Sequence, residues 1–204
     1  MDLAFTLRPA AVDESPHDGE APEECVRRLA LAKAMASAGA AAAAPGTSAG
    51  AGAGAATASA GAGPAGELVL AADTLVVLDG RMLGKPRDAA DARRMLASIA
   101  GREHAVLTGV ALVETPAGRQ AATVEASRVR MAPMTPEELD WYVATGEPLD
   151  KAGSYAVQGK GGLFVEAVYG NYTNVVGLPM PATYRLFASL GYDLRRFAAL
   201  SRRI

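Results

Sequence analysis

Cysteine occurs once in the 204 residues, at Cys25, so no disulfide can close within the chain and a reducing compartment is expected. Histidine occurs twice, as His17 and His104, far apart and without a paired ligand, which excludes the zinc-binding patterns. An excess of one charge is also missing. The 20 Lys and Arg side chains face 22 Asp and Glu, and a net charge of −2 gives the surface as a whole no attraction for nucleic acid. Phosphate recognition must then come from a local cluster. The N-terminus has neither a basic n-region nor an apolar h-region, and no stretch of large apolar residues is long enough for a membrane span. These absences predict a cytoplasmic chain.

Half the residues are apolar, enough for one substantial core, but residues 37–66 contribute little to it. Of these 30 residues 23 are Ala or Gly and none is charged, so side chains able to offset the entropy of ordering are scarce. We read a single domain over 1–204 with a disordered Ala/Gly-rich insertion at 37–66.

Outside that stretch the elements alternate. A short strand is predicted around Leu3 to Val12, and Pro22 opens a helix with Val26, Leu29, Ala30 and Lys33 on one face at i, i+3, i+4, i+7. Val69, Leu70, Leu75, Val76 and Val77 have the character of a buried strand pair, with Asp73 at a strand end and Asp79-Gly80 as a hairpin turn. A helix follows from Asp88, its N-cap, to Ile99, with Gly101 as its stop. His104 to Val113 and Arg119 to Met131 read as strands joined through Pro116-Ala-Gly118. Thr135-Pro-Glu-Glu138 combines a capping box with proline at the first helical position. Leu163 to Val168 and Val175-Val176 read as further strands, and Pro181 starts a last helix. The class expected is α/β with a mixed, twisted sheet and flanking helices.

Five positions carry chemistry on their own. Lys33 shares an apolar stripe, either snorkelling at its edge or aiming its ammonium into a phosphate site. Asp73 arrives in apolar surroundings where an unpaired carboxylate is costly, either capping a local turn or acting on a ligand. Glu14 and Asp73 could jointly hold a hard divalent cation, Mg or Mn, which needs only one or two carboxylates; a solvated turn explains Glu14 equally well. Gln158 sits among glycines that permit close approach, and its amide can donate and accept together. Gly80-Arg-Met-Leu-Gly84-Lys85-Pro86 is not a phosphate loop: three residues separate its glycines, where that motif has four, and a proline follows the lysine. Lys85 can still act as a point charge.

Ala72-Asp73-Thr74, Leu83-Gly84-Lys85-Pro86 and His104-Ala-Val-Leu-Thr-Gly109 resemble the central block of the Maf family of nucleoside triphosphate pyrophosphatases. Asp150-Lys-Ala-Gly-Ser-Tyr-Ala-Val-Gln-Gly159 and Asn174-Val-Val-Gly-Leu-Pro179 are similar to its C-terminal signatures, and Val12-Asp13-Glu14-Ser15 and Arg28-Leu-Ala-Leu-Ala-Lys33-Ala34 to its upstream ones. The resemblance implies an elongated domain with the nucleotide in a cleft between two lobes. It implies cleavage between the α and β phosphates by a metal-dependent reaction. Asp73 would be catalytic, Glu14 and Asp73 metal-holding, and Lys33, Thr74, Lys85 and Gln158 substrate-binding. Thr74 and Gln158 match the dTTP/UTP branch. The alternatives are the methylated-GTP branch and a nucleotide-binding regulator without turnover. Removal of noncanonical pyrimidine nucleotides, a link to arrest of cell division and a homodimer are among the implied properties. The family's Ser-x-Ser-Pro-Arg-Arg segment, which supplies hydroxyl and guanidinium contacts to the triphosphate, has no counterpart in these residues; the expectation is either a start internal to a longer reading frame or a shortened form with weak or no activity.

Overall fold

The computed structural model describes residues 5–43, 57–60 and 66–197. Among these residues seven strands form one sheet in the order β1 (Thr6–Arg8), β2 (Thr57–Ala60), β3 (Glu67–Leu78), β5 (Glu103–Thr115), β6 (Gln120–Met131), β7 (Val165–Tyr169), with β4 (Arg81–Leu83) paired to β3. The β1/β2, β2/β3, β3/β4 and β6/β7 pairings are antiparallel. Among the described residues five α-helices complete the mixed α/β architecture: α1 (Pro22–Ala43), α2 (Ala89–Ile99), α3 (Pro136–Ala144), α4 (Tyr172–Val176) and α5 (Met180–Ser189). Among the described residues no helix is long and apolar enough to cross a membrane.

The local signals act where the sequence puts them. Asp88 adopts an extended backbone and accepts from the Asp91 amide at 2.7 Å, capping α2. Thr135 and Glu138 exchange side-chain and backbone bonds in a capping box at α3, with Pro136 in the first turn. Asp79 and Gly80 take φ of 50° and 75°, the left-handed pair that a tight two-residue hairpin requires, and join β3 to β4.

Three expectations are corrected. β3 runs unbroken through Asp73 for 12 residues, so the acid lies within a strand rather than at its end. Its apolar neighbours on both sides continue the ladder that a turn would have interrupted. Val175 and Val176 belong to helix α4, which starts where the Asn171 side chain accepts from the Thr173 and Asn174 amides; this cap overrides the strand propensity of two valines. The stretch 37–66 is not structureless at its margins, because α1 continues to Ala43 and Thr57–Ala60 pair with β1 and β3. Residues 44–56 and 61–65 lie outside the described residues.

Two compact units divide the chain: 1–73 with 109–124 and 180–204, and 74–108 with 125–179. In the first, Ala30, Ala34 and Ala38 of α1 pack on Val69, Ala71, Ala111 and Val113 of the sheet. Small side chains let that helix approach closely, and Gly109 is the limit of the approach: a Cβ there would overlap the Val26 carbonyl. In the second, Leu96 and Ile99 of α2 and Leu139 and Tyr142 of α3 cover Val76, Val106, Val129 and Met131.

Candidate active site

Helix α1 brings the Lys33 stripe against β3, and the side chain that shares the apolar face is itself buried, 2% exposed. Its Nζ lies 2.5 Å from Asp73 Oδ1 and 2.5 Å from Glu14 Oε1. Burial alone would lower the lysine pKa; the hydrogen bonds to Asp73 and Glu14 outweigh it and raise the value above the ordinary one. Lys33 is therefore held as an ammonium between two carboxylates, and neither the snorkelling nor the turn-capping account describes these side chains.

Glu14 belongs to an irregular segment, and two partners that the sequence did not announce hold that segment on α1. Arg28 Nε and Nη2 donate to Glu20 Oε1 and Oε2 at 2.6 and 2.7 Å, a bidentate fork, and Nη2 also donates to the Ser15 carbonyl at 3.1 Å. Arg28 thereby ties Ser15, the residue after Glu14, and Glu20 to α1. Cys25 beside it is buried, and burial with the nearby Glu20 carboxylate pushes its thiol pKa up, so it is no nucleophile.

Among the described residues no group of three or more His, Cys, Asp or Glu side chains could hold a metal ion. Glu14 and Asp73 nonetheless suit a hard cation of the magnesium type. They converge on one positive charge, and such ions complete their shell with water and phosphate oxygens.

Thr74, Lys85 and Gln158 belong to the second unit. Thr74 Oγ1 lies 2.9 Å from Thr108 Oγ1, and Thr108 Oγ1 donates to the Asn174 carbonyl at 3.1 Å. Lys85 is exposed just beyond β4, where Gly153 N donates to the Gly84 carbonyl at 3.0 Å. Gly153 must lack a side chain, since a Cβ would run into Val76.

Gln158 is exposed on a loop held by Glu147, a residue the sequence did not single out. Glu147 accepts from Lys160 N at 2.9 Å, Gly161 N at 3.0 Å and Tyr142 Oη at 2.7 Å, and Tyr142 Oη accepts from Ala156 N at 3.1 Å. A Cβ on Gly159 would collide with the Glu147 carboxylate, which explains one of the glycines around Gln158. Desolvation works against the Glu147 charge, but these donors outweigh it and lower its pKa. His104 is the second residue of β5, as expected of a strand residue. Its Nε2 lies 2.8 Å from Tyr155 Oη, and burial lowers its pKa to about 4.

Residues 1–190 match the profile of the Maf-like proteins. The chain belongs to the Maf family. A dTTP/UTP pyrophosphatase of Anaeromyxobacter sp. (strain Fw109-5) is 47% identical over 197 residues, covering 95% of this Maf chain and 83% of the relative. The dTTP/UTP pyrophosphatases of Moorella thermoacetica and Myxococcus xanthus are each 44% identical, again over 95% of this chain and over 88% and 86% of their own lengths.

Proposed function

We propose that the protein is a nucleoside triphosphate pyrophosphatase acting on dTTP and UTP, cleaving between the α and β phosphates to give the monophosphate and pyrophosphate. The observation that carries this reading is the Glu14–Lys33–Asp73 cluster, in which Lys33 and Asp73 are buried and Glu14 is exposed, in a chain 47% identical to a dTTP/UTP pyrophosphatase. Buried charges are expensive, and an arrangement of this kind is a common mark of a functional site. In this reading water attacks the α phosphorus, the bond to the bridging oxygen breaks, and Asp73 accepts the proton that the water loses. Lys33 holds Glu14 and Asp73 in place. Its charge and that of Lys85 offset the charge developing on the phosphates. A magnesium or manganese ion held by Glu14 and Asp73 would polarise the phosphate and lower the pKa of attacking water. Thr74 and Gln158 contact the base. The nucleotide cleft implied by the family resemblance, a cytoplasmic location and a homodimer belong to the same reading.

Purified full chain incubated with dTTP or UTP and magnesium or manganese is expected to release pyrophosphate, and chelation to abolish the release. Release of orthophosphate would contradict the bond chosen, and preference for methylated GTP would contradict the base assignment.

A further inference from the structure

Within the second unit, Thr74, Thr108, Asn174 and Ser127 form one polar chain through otherwise apolar surroundings. Thr108 and Asn174 are fully buried and Ser127 nearly so. Chemistry fixes the direction of each bond. A peptide carbonyl can only accept, so the 3.1 Å contact with the Asn174 oxygen takes the single proton that Thr108 owns. The 2.9 Å contact between the two threonine hydroxyls must then be donated by Thr74. The far end is equally committed. Ser127 Oγ donates to the Asn171 carbonyl at 3.1 Å and accepts from Asn171 N and Asn174 Nδ2, both at 3.0 Å. Asn174 Nδ2 gives its other proton to the Val106 carbonyl at 2.9 Å, so each donor of the group is used.

Thr74 is half-buried, and its proton is directed inward to Thr108. We propose that Thr74 is an acceptor of fixed polarity which takes the ring N3–H of the base, and so distinguishes uracil and thymine from cytosine. The proposal rests on the reading that Thr74 contacts the substrate base. Uracil and thymine carry a hydrogen on N3, whereas cytosine presents a lone pair at the same atom. Against cytosine, Thr74 sets one lone pair facing another. Gln158 cannot impose this choice alone, because rotation of its amide exchanges acceptor for donor. Thr108 acts as the positioning residue that sets the polarity of Thr74.

The experiment measures pyrophosphate release from UTP and CTP by wild type, Thr108→Val and Thr108→Ser. Valine keeps the shape of threonine but removes the acceptor, and the Asn174 carbonyl retains the Gly177 amide at 2.9 Å. The Thr74 hydroxyl is then free to turn and donate. The ratio of kcat/KM for UTP over CTP is expected to fall about tenfold in Thr108→Val, chiefly through a gain on CTP, and to be kept in Thr108→Ser. A purely structural role would depress both substrates together and leave the ratio unchanged, which would overturn the proposal. A second measurement does not depend on the variant folding: wild type should use 3-methyl-UTP, which lacks the N3 hydrogen, at least about tenfold less well than UTP. Equal use of the two would also overturn it. Absence of pyrophosphate release from both dTTP and UTP would instead remove the underlying pyrophosphatase reading.

Discussion

Lys33 and Asp73, forty positions apart in the chain, share a 2.5 Å ion pair in which both side chains are nine-tenths or more buried. Such a pair contributes little net stability when intact, yet removing one partner leaves a charge stranded in an apolar setting.

Asp73→Asn keeps the size of the side chain and an oxygen that can accept from Lys33, but loses the basicity and the negative charge. Turnover of dTTP is expected to fall about 10²-fold or more, in line with general-base contributions. The protein should still fold, less stably by about 3 kcal/mol in urea unfolding because Lys33 is left with an incomplete counter-charge. Near-wild-type turnover would assign Asp73 to structure alone.

Lys33 has a raised pKa, so the stability it gains from its carboxylates is fully present below the ordinary lysine value of 10.5. That contribution is lost as pH climbs from 10.5 through the raised folded-state value. Alkaline titration of thermal unfolding should show a loss that begins above pH 10.5 in wild type, and the step should be absent in Lys33→Met.

His104 behaves in the opposite sense. Its pKa falls from 6.5 to about 4 because burial disfavours the imidazolium. Between those values the unfolded chain binds a proton that the folded one refuses, so stability is lost as pH falls through this window. The gap corresponds to about 3 kcal/mol. Urea midpoints of wild type should decline from pH 6.5 toward pH 4, while those of His104→Phe should decline less over the same interval.

Glu147→Ala removes the acceptor shared by the Lys160 and Gly161 amides and the Tyr142 hydroxyl. If Gln158 reads the base, loosening its loop should raise KM for dTTP about tenfold with kcat little changed, the pattern of lost uniform binding. A fall in kcat at constant KM would place this loop in the chemistry.

Gly109→Ala tests the packing of α1 on the sheet, where a Cβ would overlap the Val26 carbonyl. Backbone cannot yield as a side-chain tip can. A destabilisation of about 3 kcal/mol or more is expected, visible as a lower urea midpoint. An unchanged midpoint would mean that the helix can slide.

The sequence alone determined the features whose causes lie within a few residues. The Asp88 cap, the Thr135 capping box, the Asp79-Gly80 turn and the stripe that places Lys33 with Val26, Leu29 and Ala30 each depend on short-range geometry, and each stands as read. Short motifs spread along the chain were likewise enough to show the family. Tertiary structure decided what those residues face. That β3 continues through Asp73, that Glu14 meets Asp73 across one ammonium, and that Thr108 reaches the Asn174 carbonyl 66 positions away all depend on which surfaces close against each other. No local propensity encodes such a meeting, because its free energy comes from partners brought together only when helix and sheet pack.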